Sequence, residues 1–281
     1  MKRNGWTHFI LGGALVLGAV MAHAQGPGGG HHGPFGGPME LMGFEGMRGG
    51  KLVTGAPFSA TSTSTATQTL QDGTNINRTM QGAIYRDSQG RSRREVTFTG
   101  VGPLAATGGT HKMVAIFDPV AGMHYMLNPD KKVAYKTPMA AKAGTADKAQ
   151  KFQQKMQARQ QQEEASGALK VESLGTQMIN GVNAEGTRTT HTIAAGTIGN
   201  DKPIQVVSER WYSPDLQTVV QSSRTDPRFG TTTLSLTNIQ KTEPAAALFA
   251  VPADYAVEAG PAHGHHGAPG AAAPPPPPPA N

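Results

Sequence analysis

The chain has 281 residues, with 25 Lys and Arg against 19 Asp and Glu, 10 His and no Cys. The absence of cysteine excludes disulfides, thiolate metal sites and a lipid-modified cysteine at a cleavage site. The small positive charge is spread over the whole chain. It lacks the basic stripe with interleaved aromatics of a nucleic-acid binder, so we expect no nucleic-acid partner.

The N-terminal segment, MKRNGWTHFILGGALVLGAVMAHA, is typical of a secretory signal peptide. Two basic residues precede an apolar run at 9–20, and Ala22-His23-Ala24 supplies the small residues that signal peptidase requires. The run is too short for a membrane span. We expect cleavage after Ala24, a periplasmic or secreted location, and no transmembrane segment afterwards; an uncleaved anchor is the alternative.

Two low-complexity segments flank the centre of the chain. Residues 25–50 are rich in Gly, His and Met, and residues 259–281 are rich in His and Pro and end in a polyproline run. Neither segment can bury enough apolar surface to offset its ordering entropy, so both are predicted to be disordered. The folded domain is therefore expected at 51–258, a size that suits one domain.

Histidines in these flanking segments allow a metal hypothesis. Imidazole and thioether ligands suit copper, and the leader also contains three methionines. The simpler interpretation is compositional, since an unstructured site gains nothing from preorganisation. No cofactor is expected, and the candidate metal ligands are His31, His32, His263, His265 and His266.

Turn signals at short intervals divide the centre of the chain into strands. Asn180-Gly181 is the strongest of them, because a two-residue type I′ turn needs positive φ at both positions. The short connections predict antiparallel pairing. The predicted strands are 58–70, 75–86, 92–99, 112–117, 123–128, 132–137, 170–179, 182–193, 204–212, 217–224 and 231–240.

Alternation along these strands predicts one polar and one apolar face. Threonines at every second position of 61–69 share a face that suits solvent or polar neighbours. A cluster of arginines around Asp87-Ser88-Gln89-Gly90 is interpreted as a solvated turn, with Asp87 and Glu95 as partners. The apolar face is predicted to contain Val96, Phe98, Met123, Tyr125, Leu127, Leu234 and Leu236.

One segment, 145–165, is predicted to be helical because it is rich in good helix formers and begins with Thr145 as a plausible N-cap. Its apolar stripe of Ala149, Phe152 and Met156 is too thin to bury deeply. The leading interpretation is a solvated helix that rests lightly on the sheet. A movable lid, or a helix that contacts anionic lipid, is the alternative.

The downstream half resembles exported bacterial proteins of the lipoprotein-carrier (LolA-like) superfamily. The resemblance lies in the runs ESLG at 172–175, INGVNAEGTR at 179–188, WYSPDL at 211–216, LTNI at 236–239 and LFAVPADY at 248–255. It implies a mainly β fold, an antiparallel sheet curled into an unclosed half-barrel with helices over its mouth. It also implies a concave apolar face that holds acyl chains or other lipidic ligands. The family's cavity arginine and partner-docking loop match no particular positions here.

The chain carries no G-x-S-x-G, H-E-x-x-H, P-loop or dinucleotide motif, so we expect no enzyme. The histidines at 111, 124 and 191 lie in separate strands, where a scattered histidine is usually a surface or half-buried side chain.

Trp211 is either a strand-end anchor or part of the ligand face. The candidate ligand-binding residues are Phe98, Tyr125, Leu127, Arg188, Arg210 and Trp211.

Taken together, these features predict an exported non-enzymatic protein that binds a lipidic or apolar small molecule on the concave face of its sheet. Two alternatives remain open. One is an envelope structural module that recruits a protein partner through its flexible segments. The other is copper handling by the His- and Met-rich ends.

Overall fold

The computed structural model describes residues 52–99, 109–139 and 145–260. These contain twelve strands, one α-helix and one short 3-10 helix. The helix α1 spans Thr145–Ala165, and the 3-10 helix spans Ala246–Phe249. The strands are β1 Phe58–Thr69, β2 Asn75–Arg86, β3 Ser92–Thr99, β4 Thr110–Asp118, β5 Met123–Asn128, β6 Val133–Pro138, β7 Leu169–Ile179, β8 Val182–Ile193, β9 Ile204–Ser213, β10 Thr218–Asp226, β11 Gly230–Gln240 and β12 Ala256–Ala259.

All twelve strands form one sheet, in the order β12-β6-β5-β4-β3-β2-β1-β11-β10-β9-β8-β7. Every pair is antiparallel except β12 with β6, which is parallel. The short turns explain the antiparallel pairs, because a parallel pair needs a longer crossover. The sheet is not closed into a barrel, and its edge strands are β7 and β12.

The predicted fold class is confirmed, with eleven predicted strands and the helix present to within a few residues. Asn180 and Gly181 have φ of 47° and 86°, as a type I′ turn between β7 and β8 requires. Strand β12 was not predicted from the sequence. It has only four residues, and its partner β6 lies more than a hundred residues earlier in the chain.

The sheet is curled, because residues of distant strands are in contact. Arg86 at the end of β2 donates a hydrogen bond to the carbonyl of Leu216, in the β9–β10 turn. Asn180 in the β7–β8 turn donates to the carbonyl of Leu236 in β11, at 2.7 Å. On a flat sheet, strands β8 and β11 would lie about 14 Å apart. We call the side that carries Arg86 and Leu236 the inner face and the other side the outer face.

The strand connections lie at two ends of the sheet. The β1–β2, β8–β9 and β10–β11 turns lie at one end, which we call the rim end. The β4–β5, β7–β8 and β9–β10 turns lie at the other, the floor end.

The prediction of a single apolar face is wrong. Residues paired across strands share a face, and the pairs put Val96, Leu234 and Leu236 on the inner face. Met123, Tyr125 and Leu127 lie on the outer face, because Leu127 pairs with Val114 whereas Val96 pairs with Met113. Strand β4 is therefore buried on both sides, with Val114, Ala115 and Ile116 all 2 % exposed or less.

The threonines of β1 lie on the outer face, opposite hydroxyl residues of β11: Thr61 pairs with Thr237, Thr65 with Thr233 and Thr67 with Thr231. Thr65 and Thr233 share a hydrogen bond between their hydroxyls, at 2.5 Å. These side chains are half-buried or exposed. The centre of the outer face is therefore polar, whereas the inner face opposite it combines small residues such as Ala60 and Ser64 with Leu234 and Leu236.

No helix among the described residues is long and apolar enough to span a bilayer.

Candidate functional site

The rim half of the inner face carries a stripe of apolar side chains that crosses four strands, β2 to β5. We call it the methionine stripe; its members are Met80, Val96, Met113, Ala115 and Met126. Met80 and Val96 are buried, and Met113 and Met126 are half-buried. Two cross-strand pairs align the stripe: Val96 with Met113, and Ala115 with Met126. Unbranched thioether side chains adapt to partners of irregular shape.

The floor half of the inner face is filled by the protein's own side chains. The largest apolar cluster lies there; it includes Phe58, Ile84 and Leu236 of the central strands, and Leu216 and Val220 at the β9–β10 hairpin end. The β9–β10 turn lies over the central strands, since Arg86 donates a hydrogen bond to the carbonyl of Leu216. The inner face is therefore closed at the floor end.

Of the predicted ligand residues, Arg210 lies on the inner face. Its row runs across the strands from Arg210 through Ser222, Leu234 and Ser64 to Met80. The backbone of Phe98 pairs with that of His111, and its side chain lies outside what the structure describes. Arg210 is half-buried, with its guanidinium 5.4 Å from the ring centroid of Tyr212. Its Nε is buried without a hydrogen-bond partner. The row thus places a cation with a spare donor on the same face as the methionine stripe.

Arg188, Tyr125 and Leu127 lie on the outer face. Arg188 forms an ion pair with Glu209, at 2.7 Å. Leu127 is 2 % exposed, and Tyr125 packs against the same cluster beneath the C-terminal residues Val251 and Tyr255. These three side chains are therefore separated from the methionine stripe by the sheet itself.

Trp211 belongs to the apolar cluster at the floor end and is 8 % exposed. A bulge between Val219 and Gln221 shifts the β9–β10 register just where Trp211 pairs. The indole lies on Gly186 of β8, where an added Cβ would approach its ring atoms to 2.5 Å. The space that this glycine leaves is what allows the ring to pack between β8 and the cluster.

Arg86 is a buried residue at the floor end whose role the sequence did not indicate, because it was grouped with a solvated turn. It is 9 % exposed, and it donates to the carbonyls of Ala56, at 2.8 and 3.0 Å, and of Leu216. Its ring contact is Phe58, 4.8 Å from the guanidinium carbon to the centroid. Burial lowers the pKa of Arg86 to about 10, and the negative charge that Tyr212 can carry opposes this. Through these hydrogen bonds Arg86 connects the β9–β10 turn with the residues just before β1.

The rest of the arginine cluster follows the prediction in part. Arg91 pairs with Asp87 at 2.5 Å, and Arg93 with Glu95 at 2.7 Å. Asp87 is only 1 % exposed, however, so its end of the turn is buried rather than solvated. Burial follows from the contacts of this turn with the segment before β1, where Gly55 donates to the carbonyl of Ser88.

Helix α1 connects β6 with β7, which lie near opposite edges of the sheet. Its last turns lie on the inner-face side of β8, where Glu163 approaches His191 to 4.0 Å. Phe152 is 64 % exposed, so that part of the predicted apolar stripe packs against nothing. These contacts agree with a helix that rests lightly on the sheet.

Metal ligation receives no support within the described residues, where no three His, Asp or Glu are grouped to hold an ion. The histidines at 111, 124 and 191 lie on three different strands. The candidate ligands His31, His32, His263, His265 and His266 lie outside the described residues.

Two surface depressions lie on the outer face. The first, about 440 Å³, is lined mainly by polar side chains of the central strands, including Thr79, Gln81, Glu95 and Lys112. The second, about 420 Å³, lies between β4–β6 and the C-terminal segment, with Tyr125 and Phe249 in its wall. Neither includes a residue of the methionine stripe.

No family model and no curated protein matches this chain. Solved structures similar to it include the complex of Pseudomonas aeruginosa MucA and MucB, with 11 % identity, a TM-score of 0.36, and coverage of 71 % of this chain and 57 % of that chain. The chain thus spans little more than half the length of that match.

A LolA superfamily protein from Nitrosomonas europaea has 8 % identity and a TM-score of 0.27, covering 69 % of this chain and 90 % of that chain. LprF from Mycobacterium bovis has 12 % identity and a TM-score of 0.29, covering 68 % and 90 %. Identities and TM-scores this low assign no function to this chain.

Proposed function

We propose that this protein is an exported, non-enzymatic binding protein that holds a flexible apolar chain, such as the acyl chain of a lipid, on the rim half of its inner face. The observation that carries the proposal is the asymmetry of the sheet. On strands β1 to β3 the outer face is lined by threonines and other polar side chains, whereas the inner face of β2 to β5 carries the methionine stripe. A protein that only needed a stable core would gain nothing from leaving Met113 and Met126 half-buried there.

The dimensions of the stripe suit a chain rather than a compact ligand. Four strands span about 14 Å, which matches an extended run of roughly a dozen methylene groups. Methionine side chains adjust to such a chain without a single fixed geometry. Arg210 is a cation on the same face for a phosphate or carboxylate head group, about 19 Å from Met80 along its row.

A second candidate function is docking of an apolar segment of a protein partner. It is favoured by the half-buried side chains of Met113 and Met126, which leave part of the surface of the methionine stripe accessible. An accessible apolar surface accepts an apolar peptide as readily as a lipid. The flexible flanking segments predicted from the sequence remain another possible route to such a partner.

The test is to purify the protein from its native compartment and to analyse an organic extract by mass spectrometry. Lipid recovered at a fixed ratio to protein supports the proposal. Met126→Gln places an amide on the stripe, and Met123→Gln places the same amide on the outer face of the same strand. We expect the first variant to lose most of the lipid and the second to keep it.

Two results would overturn the proposal: no lipid in any extract, or equal loss in both methionine variants. A thermal denaturation curve for each variant establishes that the comparison is made on folded protein. Recovery of a peptide instead of a lipid would favour the second candidate.

A further inference from the structure

Three turns at the rim end each carry one exposed large apolar side chain. Leu70 in the β1–β2 turn is 39 % exposed, Phe229 in the β10–β11 turn 41 %, and Ile198 in the β8–β9 loop 56 %. We call these three residues the rim tips. Their neighbours in the same turns are the polar and glycine residues that turns normally contain, among them Asp72, Gly73, Asn200 and Asp226.

The rim tips are held by ordered turns. The amide of Leu70 donates to the carbonyl of Thr74 at 2.8 Å, and that of Phe229 to the carbonyl of Asp226 at 2.9 Å. In the third loop the side chain of Asn200 donates to the carbonyls of Ala194 and Lys202, at 2.9 and 2.8 Å. The apolar side chains are thus presented to solvent from fixed backbone positions.

The three turns are neighbours in the sheet, since they join β2 to β1, β11 to β10, and β9 to β8. Successive turns are two strands apart, or about 10 Å, so the rim tips span about 20 Å along the rim. This is a line of separate side chains and not one continuous patch.

The rim end is also where the inner face opens. The floor half is filled by the large apolar cluster, and the methionine stripe lies in the rim half. An apolar ligand can therefore reach the stripe from the rim end without displacing the cluster at the floor end.

We infer that the rim docks onto the surface of a lipid bilayer, with Leu70, Ile198 and Phe229 inserted into the interface and the opening of the inner face turned towards the membrane. This rests on the proposed function, because it supplies the route by which an acyl chain leaves or enters the bilayer. A planar interface accommodates separate side chains spaced along a line, whereas a pocket on a protein requires them to be contiguous.

Charged side chains of both signs lie beside the rim tips. Arg228 lies 4.9 Å from the ring centroid of Phe229 and pairs with Asp226 at 2.7 Å, and Lys202 is exposed in the loop of Ile198 next to the exposed Asp201. An aromatic side chain with a neighbouring cation is typical of residues that enter the head-group region.

The experiment uses the mature chain and vesicles of phosphatidylethanolamine and phosphatidylglycerol, with binding measured by co-sedimentation. The test variant is Leu70→Ser, Ile198→Ser and Phe229→Ser combined. The matched control is Val120→Ser with Met178→Ser, because these side chains are 66 % and 65 % exposed at the floor end. Removing one apolar side chain that inserts into the bilayer weakens binding of the protein to the vesicles by about tenfold. We therefore expect the test variant to bind at least about a hundredfold more weakly, and the control to bind like the unmodified protein.

Absence of vesicle binding by the unmodified protein would overturn the inference, as would equal weakening in test and control variants. Lipid extraction separates this inference from the proposed function. A test variant that still carries lipid but no longer binds vesicles supports both. A protein that binds vesicles through the rim tips but never yields lipid removes the proposed function and leaves the docking surface in place.

Discussion

At the scale of single residues, the contact between Trp211 and Gly186 shows how a small residue on one strand fixes a large one on the next. The indole carries most of the apolar surface at its end of β9 and is almost fully buried. It can pack there only because β8 has no side chain at position 186. The sequence predicts the tryptophan's strand and its turn, but it gives no sign that Gly186 is its neighbour.

Gly186→Ala is predicted to destabilise the protein by about 1–3 kcal/mol, because the new Cβ overlaps the indole and also approaches Leu174 to 2.8 Å. Gly109→Ala is the control, since its Cβ would meet only the ring of His111 at 3.5 Å or more. Chemical denaturation measures both. In a protein that begins at Gln25, Trp211 is the only tryptophan, so a red shift of its emission in the first variant reports the same event. Equal stability of the two variants would contradict this account of the contact.

Arg86 illustrates what sequence reasoning cannot reach at this scale. Its sequence neighbours are a turn and other arginines, which favour a solvated interpretation. Its actual partners are carbonyls 30 and 130 residues away in the chain. No local pattern encodes these contacts. Of the predicted ligand residues, Arg210 lies on the inner face, whereas Tyr125, Leu127 and Arg188 lie on the outer face, because alternation within a strand does not specify its register with the next strand.

At the scale of elements, alternation and turn chemistry were enough to predict eleven strands and the helix. They were not enough to predict which strands share a face. The register of β3 with β4 pairs Val96 with Met113 on the inner face, whereas that of β4 with β5 pairs Leu127 with Val114 on the outer face. Alternation within one strand does not specify its register with the next. Strand β12 was missed for the same reason, since its four residues are strand-like only beside β6.

Hydrogen exchange followed by mass spectrometry should show a gradient between elements. Amides of β4 should exchange slowest, because this strand is paired on both sides and buried on both faces. Amides of α1 should exchange fastest among the described elements, because most of the helix is exposed and its contacts with the sheet are few. Strand β12, a four-residue edge, should lie between them. Protection of α1 equal to that of β4 would show that the helix is firmly packed and would reject the light contact described above.

At the scale of the whole molecule, two carboxylates in different halves of the sheet link stability to pH. Burial raises the pKa of Glu95, but hydrogen bonds from Lys112 and Arg93 outweigh it and hold that pKa below its ordinary 4.5. Burial likewise raises the pKa of Asp226, and the hydrogen bonds of Arg228 hold it below its ordinary 3.8. A carboxyl with a lowered pKa stabilises the folded state above its ordinary pKa, and this contribution is lost as the pH falls through the lowered value.

The free energy of unfolding should therefore decrease as the pH falls below about 4.5. Glu95→Gln removes one of the two linked groups, so its stability should be lower at neutral pH and should change less between neutral and acidic pH. Urea denaturation at a series of pH values measures both effects. Parallel curves for the variant and the unmodified protein would mean that Glu95 does not contribute to the acid sensitivity.

The central position of β1 has a consequence for synthesis. Among the described strands β1 comes first in sequence, yet one of its two partners is β11. The hydroxyls of Thr65 and Thr233, which meet between these two strands, are separated by 168 residues. A nascent chain can form the hairpin of β1 and β2 early, but the other edge of β1 stays unpaired until nearly the whole domain has been made. Such an edge is a template for association with other chains. Products that end before β11 are therefore expected to aggregate, which makes this domain dependent on completion of its last long strand.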